Sequence, residues 1–332
     1  MLKNLILLLL ALPLTAEISV RFTALDYLML KPLLYYQYSN QAAHEPSHNP
    51  ERLYQLKPNS KTLTAGFKHL VCVNSLGFRG PERNIIKPKG VTRIFCFGGS
   101  TTYGAFAGNE DTFPQQLEQT LNSSYKGRFE VWNAGVSAYV LSAEASYARE
   151  VLAKYEPDIF IFQHFNKGRR AFLPNTPYAK FFQDNTRLYK ENLRFIPFPK
   201  SELSFQLLKH SAAYRTCIIL ANCFLFIGQN NPDYDNEDTN TTAFEAFYTE
   251  TNHRVPIFLL RLKMLQDYPD PQLAAMITRT GIRELDIFSD SFLSGQNLSS
   301  EYFMVHPPAH VYKWYARSMA RKLAEHRMVV KK

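Results

Sequence analysis

From residue 91 to the C-terminus, near-continuous apolar runs alternate with amphipathic stretches. Val91–Phe97 (VTRIFCF) runs into two glycines and predicts a buried strand that ends in a turn. Thr112–Leu121 brings Phe113, Leu117 and Leu121 onto one helical face. Phe129–Trp132 predicts a second strand, and Leu141–Tyr155 a helix carrying Ala143, Tyr147, Val151 and Leu152. Ile159–Phe162, led in by Pro157-Asp158, predicts a third strand; Val255–Leu260 and Leu285–Phe288 predict two more. Ala309–His326 closes the series as an amphipathic helix. Strands that are apolar on both faces suit a parallel sheet covered by helices. The alternation therefore predicts an α/β fold with a parallel, helix-flanked sheet.

Two regions break the alternation. Ala24–Leu70 is mixed and aromatic, interrupted by Pro32, Pro46, Pro50 and Pro58, and reads as an extended segment wrapping onto the main domain. Between Lys167 and Asn252, strongly apolar Ser204–Ile227 is followed by polar, acidic Gln229–Thr242. That contrast predicts an inserted helical subdomain at about 167–252, its apolar half capping the substrate site, followed by a mobile loop. Lys209, His210 and Arg215 cut the clean apolar stretch well below the ~20 residues of a membrane span.

At the N-terminus, Lys3 precedes the apolar run Leu5–Leu14, followed by Thr15 and Ala16. A positive flank, a short apolar core and a small residue predict a signal peptide or N-terminal membrane anchor over residues 1–20. Export to the cell envelope follows, with the protein secreted or held at a membrane by this segment. Residues 21–90 then form an extended segment packing on the domain at 91–326.

The chain's 332 residues, 45% of them hydrophobic, supply one substantial core plus an insertion. The net charge of +9 admits anionic partners, but the Lys and Arg residues are scattered and no nucleic-acid motif is present. Nucleic acid is therefore not expected as a partner. Cys72, Cys96, Cys217 and Cys223 form no CxxC pair, so buried thiols are expected rather than a metal site, and a disulfide stays open in an exported chain.

The chemistry gathers where predicted strands end. Ser100 directly follows Gly98-Gly99, where a tight turn exposes a hydroxyl at the carboxyl edge of the sheet. The helix after it is expected to aim N–H groups and a positive dipole end at a developing oxyanion. A phosphate-cradling loop would need the lysine of G-x-x-x-x-G-K-[ST], which is missing. Gly135 follows the second strand in Asn133-Ala134-Gly135; Asn166 follows the third in Gln163-His164-Phe165-Asn166; His306 precedes the last helix. A serine, two oxyanion donors and an imidazole base make the parts list for acyl transfer at an ester.

In this order and spacing, these segments resemble the SGNH (GDSL-type) hydrolase family, especially its exported or anchored bacterial members. Asn74–Pro81 and Asp111-Thr112-Phe113-Pro114 add to the likeness, which covers roughly residues 70–166 and 253–325. The resemblance implies a flavodoxin-like three-layer sandwich, with Ser100 as nucleophile and His306 as base. It implies an oxyanion hole from the N–H groups of Ser100 and Gly135 and the side chain of Asn166, and no metal or organic cofactor. The substrate implied is a small-molecule or glycan ester, hydrolysed by a lipase- or acetylesterase-type serine esterase. The same intermediate serves an envelope polysaccharide O-acyltransferase, and a degenerate site leaves a binding protein.

Three positions depart from the family's pattern. Lys167 stands where Asp commonly follows the asparagine, and Val311 where a glycine commonly follows the histidine. Phe303 occupies the place of the Asp that orients the imidazole. Glu301 and Asp290 are the substitutes expected to reach His306, failing which a Ser100–His306 dyad remains. His310, one turn further on, is the rival base; His164 and Lys167 supply cationic groups near Asn166.

Overall fold

The computed structural model describes residues 2–23, 25, 43–47, 49, 52, 54–64, 69–137, 139–164, 207, 211–214, 216–217, 220, 239–263, 270–288 and 298–332. Two compact units emerge: Met1–Tyr38 with Arg170–Glu237, and Ser39–Arg169 with Asp238–Lys332.

The larger unit is built on β1 (Val91–Gly98), β2 (Arg128–Gly135), β3 (Ile159–His164), β4 (Ile257–Arg261) and β5 (Arg283–Asp286). All neighbouring pairs are parallel, in the order 2-1-3-4-5. This is the doubly wound flavodoxin-like order, in which the chain changes direction between β1 and β3 and leaves a crevice at their carboxyl ends. Residue alternation along β1 feeds two separate cores. Ile94 and Cys96 join Phe113, Leu117, Leu121, Tyr312 and Met319 on one face. Phe95 and Phe97 face an aromatic layer in which Phe97 stacks on Phe162 at 4.8 Å and Phe95 meets Trp132 at 5.0 Å.

Helices cover both faces. α1 (Phe113–Ser124) and α5 (Ala309–Glu325) pack together over the first core, with Phe113, Leu117 and Leu121 fully buried. α2 (Leu141–Lys154) and α3 (Thr239–Thr251) pair on the aromatic side, where Phe244 and Phe247 of α3 meet Phe162. The architecture is thus the expected helix–sheet–helix sandwich, and the expected elements hold to within a few residues at their ends. β5 stops at Asp286, with Ile287 and Phe288 in the turn beyond it.

The structure revises several details. α4 (Pro271–Thr280) is an additional helix between β4 and β5. Asp270 caps it by accepting from the Leu273 N–H at 2.9 Å, and Gly281 ends it in the left-handed region at φ 64°. Residues 239–242, expected in a loop, open α3; the remainder of that loop lies outside the described residues. α3, which falls within the range expected for the insertion, belongs to the larger unit and buries Phe244 and Phe247 against the sheet. Within the segment expected to be extended, the described residues form two short antiparallel pairs, His44–Pro46 with Tyr54–Leu56 and Lys61–Leu63 with Leu70–Cys72.

In the smaller unit, a helix spans Leu2–Thr23. Its Glu17 accepts from the N–H groups of Ala212 and Ala213 and from the Ser211 hydroxyl, at 2.7–2.9 Å. Burial opposes the charge, but these bonds and Arg21 prevail and hold the Glu17 carboxyl at about 2. No helix among the described residues is long and apolar enough to cross a membrane. Most of Ser204–Ile227, expected to cap the site, lies outside the described residues. Of the cysteines, Cys96 is buried as expected, Cys72 is half-buried and Cys217 is exposed, all three as free thiols; Cys223 lies outside.

Candidate active site

β1 ends in Gly98-Gly99, and the chain turns at once into a single helical turn, Ser100–Tyr103. Gly98 is required by crowding. A Cβ on Gly98 would overlap Thr102 Oγ1 and lie 2.9 Å from Gln163 Oε1. Gly104 ends the turn in the left-handed region at φ 82° and donates its N–H to the Ser100 carbonyl at 2.9 Å. The helical turn that begins at Ser100 is only four residues long, so it carries no extended macrodipole. That corrects the expectation of a dipole-assisted site. Local N–H groups must take that part.

Ser100 is buried but retains 5% of its surface, at the carboxyl edge of β1 beside the β1/β3 crevice. His306 approaches from the segment before α5 and places Nε2 2.7 Å from Ser100 Oγ. This is the contact expected of a nucleophile and its general base. The half-exposed Phe106 flanks the imidazole, ring centroids 5.1 Å apart.

Two further bonds tie these strands of chain together. Thr101 Oγ1 donates to the Val305 carbonyl at 2.6 Å, and the Tyr312 hydroxyl of α5 donates to the Thr101 carbonyl at 3.0 Å. Beneath the turn, buried Arg79 donates to the carbonyls of Tyr103 and Gly104 at 2.6 Å, to that of Ala107, and to Asn109 Oδ1 at 3.1 Å. Carbonyls left open at the end of the turn are thus satisfied. Burial draws the Arg79 pKa down, against the pull of nearby Tyr103 and Tyr312.

The other expected site residues divide. Gly135 lies opposite Gly98 across β1 and β2, but its N–H donates to Asn133 Oδ1 at 3.0 Å. Its visible role is packing. A Cβ there would overlap the Tyr103 nitrogen and lie 2.6 Å from the Thr102 carbonyl carbon. Because backbone cannot yield as a side chain does, Gly135→Ala is expected to cost about 3 kcal/mol of stability, read as a lowered urea midpoint with unchanged slope.

Glu301 does not join His306. It pairs with His310 at 3.0 Å, both groups largely in solvent, while the imidazole in contact with Ser100 Oγ is that of His306. Phe303 packs against Phe288 with ring centroids 5.4 Å apart, so an apolar contact replaces the carboxylate at that position. Asn166, Lys167 and Asp290 lie outside the described residues, as does the His164 side chain. Among the described residues, no cluster of His, Cys, Asp or Glu is arranged to hold a metal. A cavity of about 290 Å³ lies along α2, lined by Arg52, Tyr147, Glu150, Lys154 and Tyr155 among others, and includes neither Ser100 nor His306.

Thr101, Tyr312, Arg79 and Phe106 were not singled out from sequence. Thr101, a hydroxyl next to Ser100, was legible as a candidate; the other three reach the site only through contacts between distant parts of the chain.

The chain matches no protein-family model and no curated protein. Among solved structures it is similar to a G-D-S-L family protein from Desulfitobacterium hafniense DCB-2, with 15% identity over 70% of this chain and 99% of that one, at TM-score 0.37. The acetylxylan esterase Axe2 from Geobacillus stearothermophilus shares 14% identity over 70% and 94% of the chains, at TM-score 0.39. LAE5, an alpha/beta hydrolase from the Lake Arreo metagenome, shares 10% over 72% and 97%, at TM-score 0.40. At this distance the chemistry must be assigned from the chain's own residues.

Proposed function

We propose that the protein is a serine esterase of the SGNH type, hydrolysing an ester or O-acetyl group through an acyl-serine at Ser100. The supporting observation is the 2.7 Å contact between His306 Nε2 and Ser100 Oγ, made at the carboxyl edge of a 2-1-3-4-5 parallel sheet. His306 takes the proton as Oγ attacks the carbonyl carbon, giving a tetrahedral oxyanion and an imidazolium. Collapse expels the alcohol, which leaves with that proton, and Ser100 carries the acyl group. Water then attacks, with His306 again as base, releasing the acid and the free serine.

One well-placed oxyanion donor is worth about 3–4 kcal/mol. The Ser100 N–H and the Asn166 side chain are assigned this role. Gly135 joins them only when Asn133 turns away, because Asn133 Oδ1 holds its N–H. The leader-like segment at residues 1–20 and the scattered surplus of positive charge favour an exported enzyme acting on a small-molecule or glycan ester.

The test is product analysis with p-nitrophenyl acetate, with and without an added polysaccharide acceptor. Hydrolysis predicts equal release of nitrophenol and free acetate under both conditions. Acetyl found only on the acceptor would reassign the protein as an O-acyltransferase, and no turnover in either condition would leave a binding protein.

A further inference from the structure

We propose that Thr101 is a positioning residue for the catalytic pair, forming with Tyr312 a two-hydroxyl latch that holds His306 against Ser100. The proposal rests on the reading of Ser100 as the nucleophile.

His306 belongs to neither a helix nor a strand. It sits between a short 3-10 turn, Ser300–Phe303, and the first residue of α5, Ala309, and its side chain is half-buried. A base on such a segment needs external restraint, because a displacement of ~1 Å at a reacting pair costs on the order of 10²-fold in rate. Thr101 supplies it from the nucleophile's side: its hydroxyl grips the carbonyl of Val305, the residue before His306, at 2.6 Å. Tyr312, six positions beyond His306, grips the Thr101 carbonyl in return at 3.0 Å.

One residue beside the nucleophile is thus tied to the chain on both sides of the base. The links Ser100–Thr101, Val305–His306 and Tyr312 form a closed circuit with the 2.7 Å Ser100–His306 contact. Thr101 and Tyr312 are both almost completely buried, which limits competition from water for these bonds. Tyr315, one helical turn past Tyr312, donates to the Tyr302 carbonyl at 2.9 Å and holds the preceding turn to the same helix.

The alternative role for Thr101 is to fill space. Valine preserves its shape without the hydroxyl, and serine preserves the hydroxyl without the methyl group. The experiment compares wild type, Thr101→Val, Thr101→Ser, Tyr312→Phe and the Thr101→Val/Tyr312→Phe double variant. It reads kcat and KM on p-nitrophenyl acetate, and the rate at which a fluorophosphonate modifies Ser100. Thr101→Val is expected to lower kcat and labelling rate about tenfold with KM within about twofold, as for loss of a transition-state-only contact. Thr101→Ser should stay within about threefold of wild type. The double variant should be no slower than the worse single, because both bonds restrain one unit.

Wild-type rates in Thr101→Val, or equal losses in Thr101→Ser and Thr101→Val, would overturn the latch while leaving the nucleophile in place. Should Thr101→Val fail to fold by circular dichroism, Tyr312→Phe carries the decision: a wild-type rate there overturns the latch. Wild-type protein left unlabelled at Ser100 would instead overturn the esterase reading, and the latch with it.

Discussion

Ser100→Ala is expected to lower p-nitrophenyl acetate turnover by about 10⁴–10⁶-fold, to the background set by substrate binding and oxyanion contacts alone. The hydroxyl is the only group on Ser100 lost in this variant. Alanine also fits the site: Ser100 is buried inside a helical turn, and its backbone bonds to Gly104 and Ala105 need no side chain. The fold should therefore survive, with a thermal midpoint close to that of wild type. Single-turnover kinetics separate the outcomes, since the variant should bind substrate normally and form no acyl-enzyme. A loss below about tenfold would mean that another group attacks the ester.

His306→Ala should cost nearly as much, again about 10⁴–10⁶-fold in kcat, and the Ser100→Ala/His306→Ala double variant should be no worse than either single. The reason is that the two side chains act as one unit. A serine hydroxyl without a base 2.7 Å away is a poor nucleophile, and a base without a hydroxyl has no proton to take. Additive losses would show that the two residues act in separate steps. The exposed His310 is the internal control. It faces Glu301 and solvent while His306 holds the contact to Ser100 Oγ, so His310→Ala should leave kcat unchanged.

Much of this arrangement was legible in the sequence, for physical reasons. Short, β-branched and aromatic apolar runs such as Val91–Phe97 and Ile159–Phe162 suit strands covered on both faces, and the helix after the first follows from the spacing of Phe113, Leu117 and Leu121. Ser100 was marked by its two glycines and His306 by its place before the last helix; the structure sets them in contact. α4 carries local signals of its own, Asp270 before Pro271 at the start and Gly281 at the end, but no wide apolar face.

Other features were hidden because they arise from contacts between distant parts of the chain. Gly135 had the sequence context of an amide donor, yet the side chain two residues earlier holds its N–H, and close packing of β2 under the Ser100–Tyr103 turn explains the glycine. Glu301 had a suitable position in the sequence, but a neighbouring histidine took it. The Thr101–Val305 bond spans 204 residues, and no local pattern encodes such a pairing.

The central claim is that His306 activates Ser100 for covalent chemistry. Peptide mass spectrometry after brief treatment with a fluorophosphonate tests it most directly. The account predicts one adduct, on Ser100, in wild type; none in Ser100→Ala; and labelling slowed at least about 100-fold in His306→Ala. An adduct on another residue, or Ser100 labelled at the same rate without His306, would contradict it.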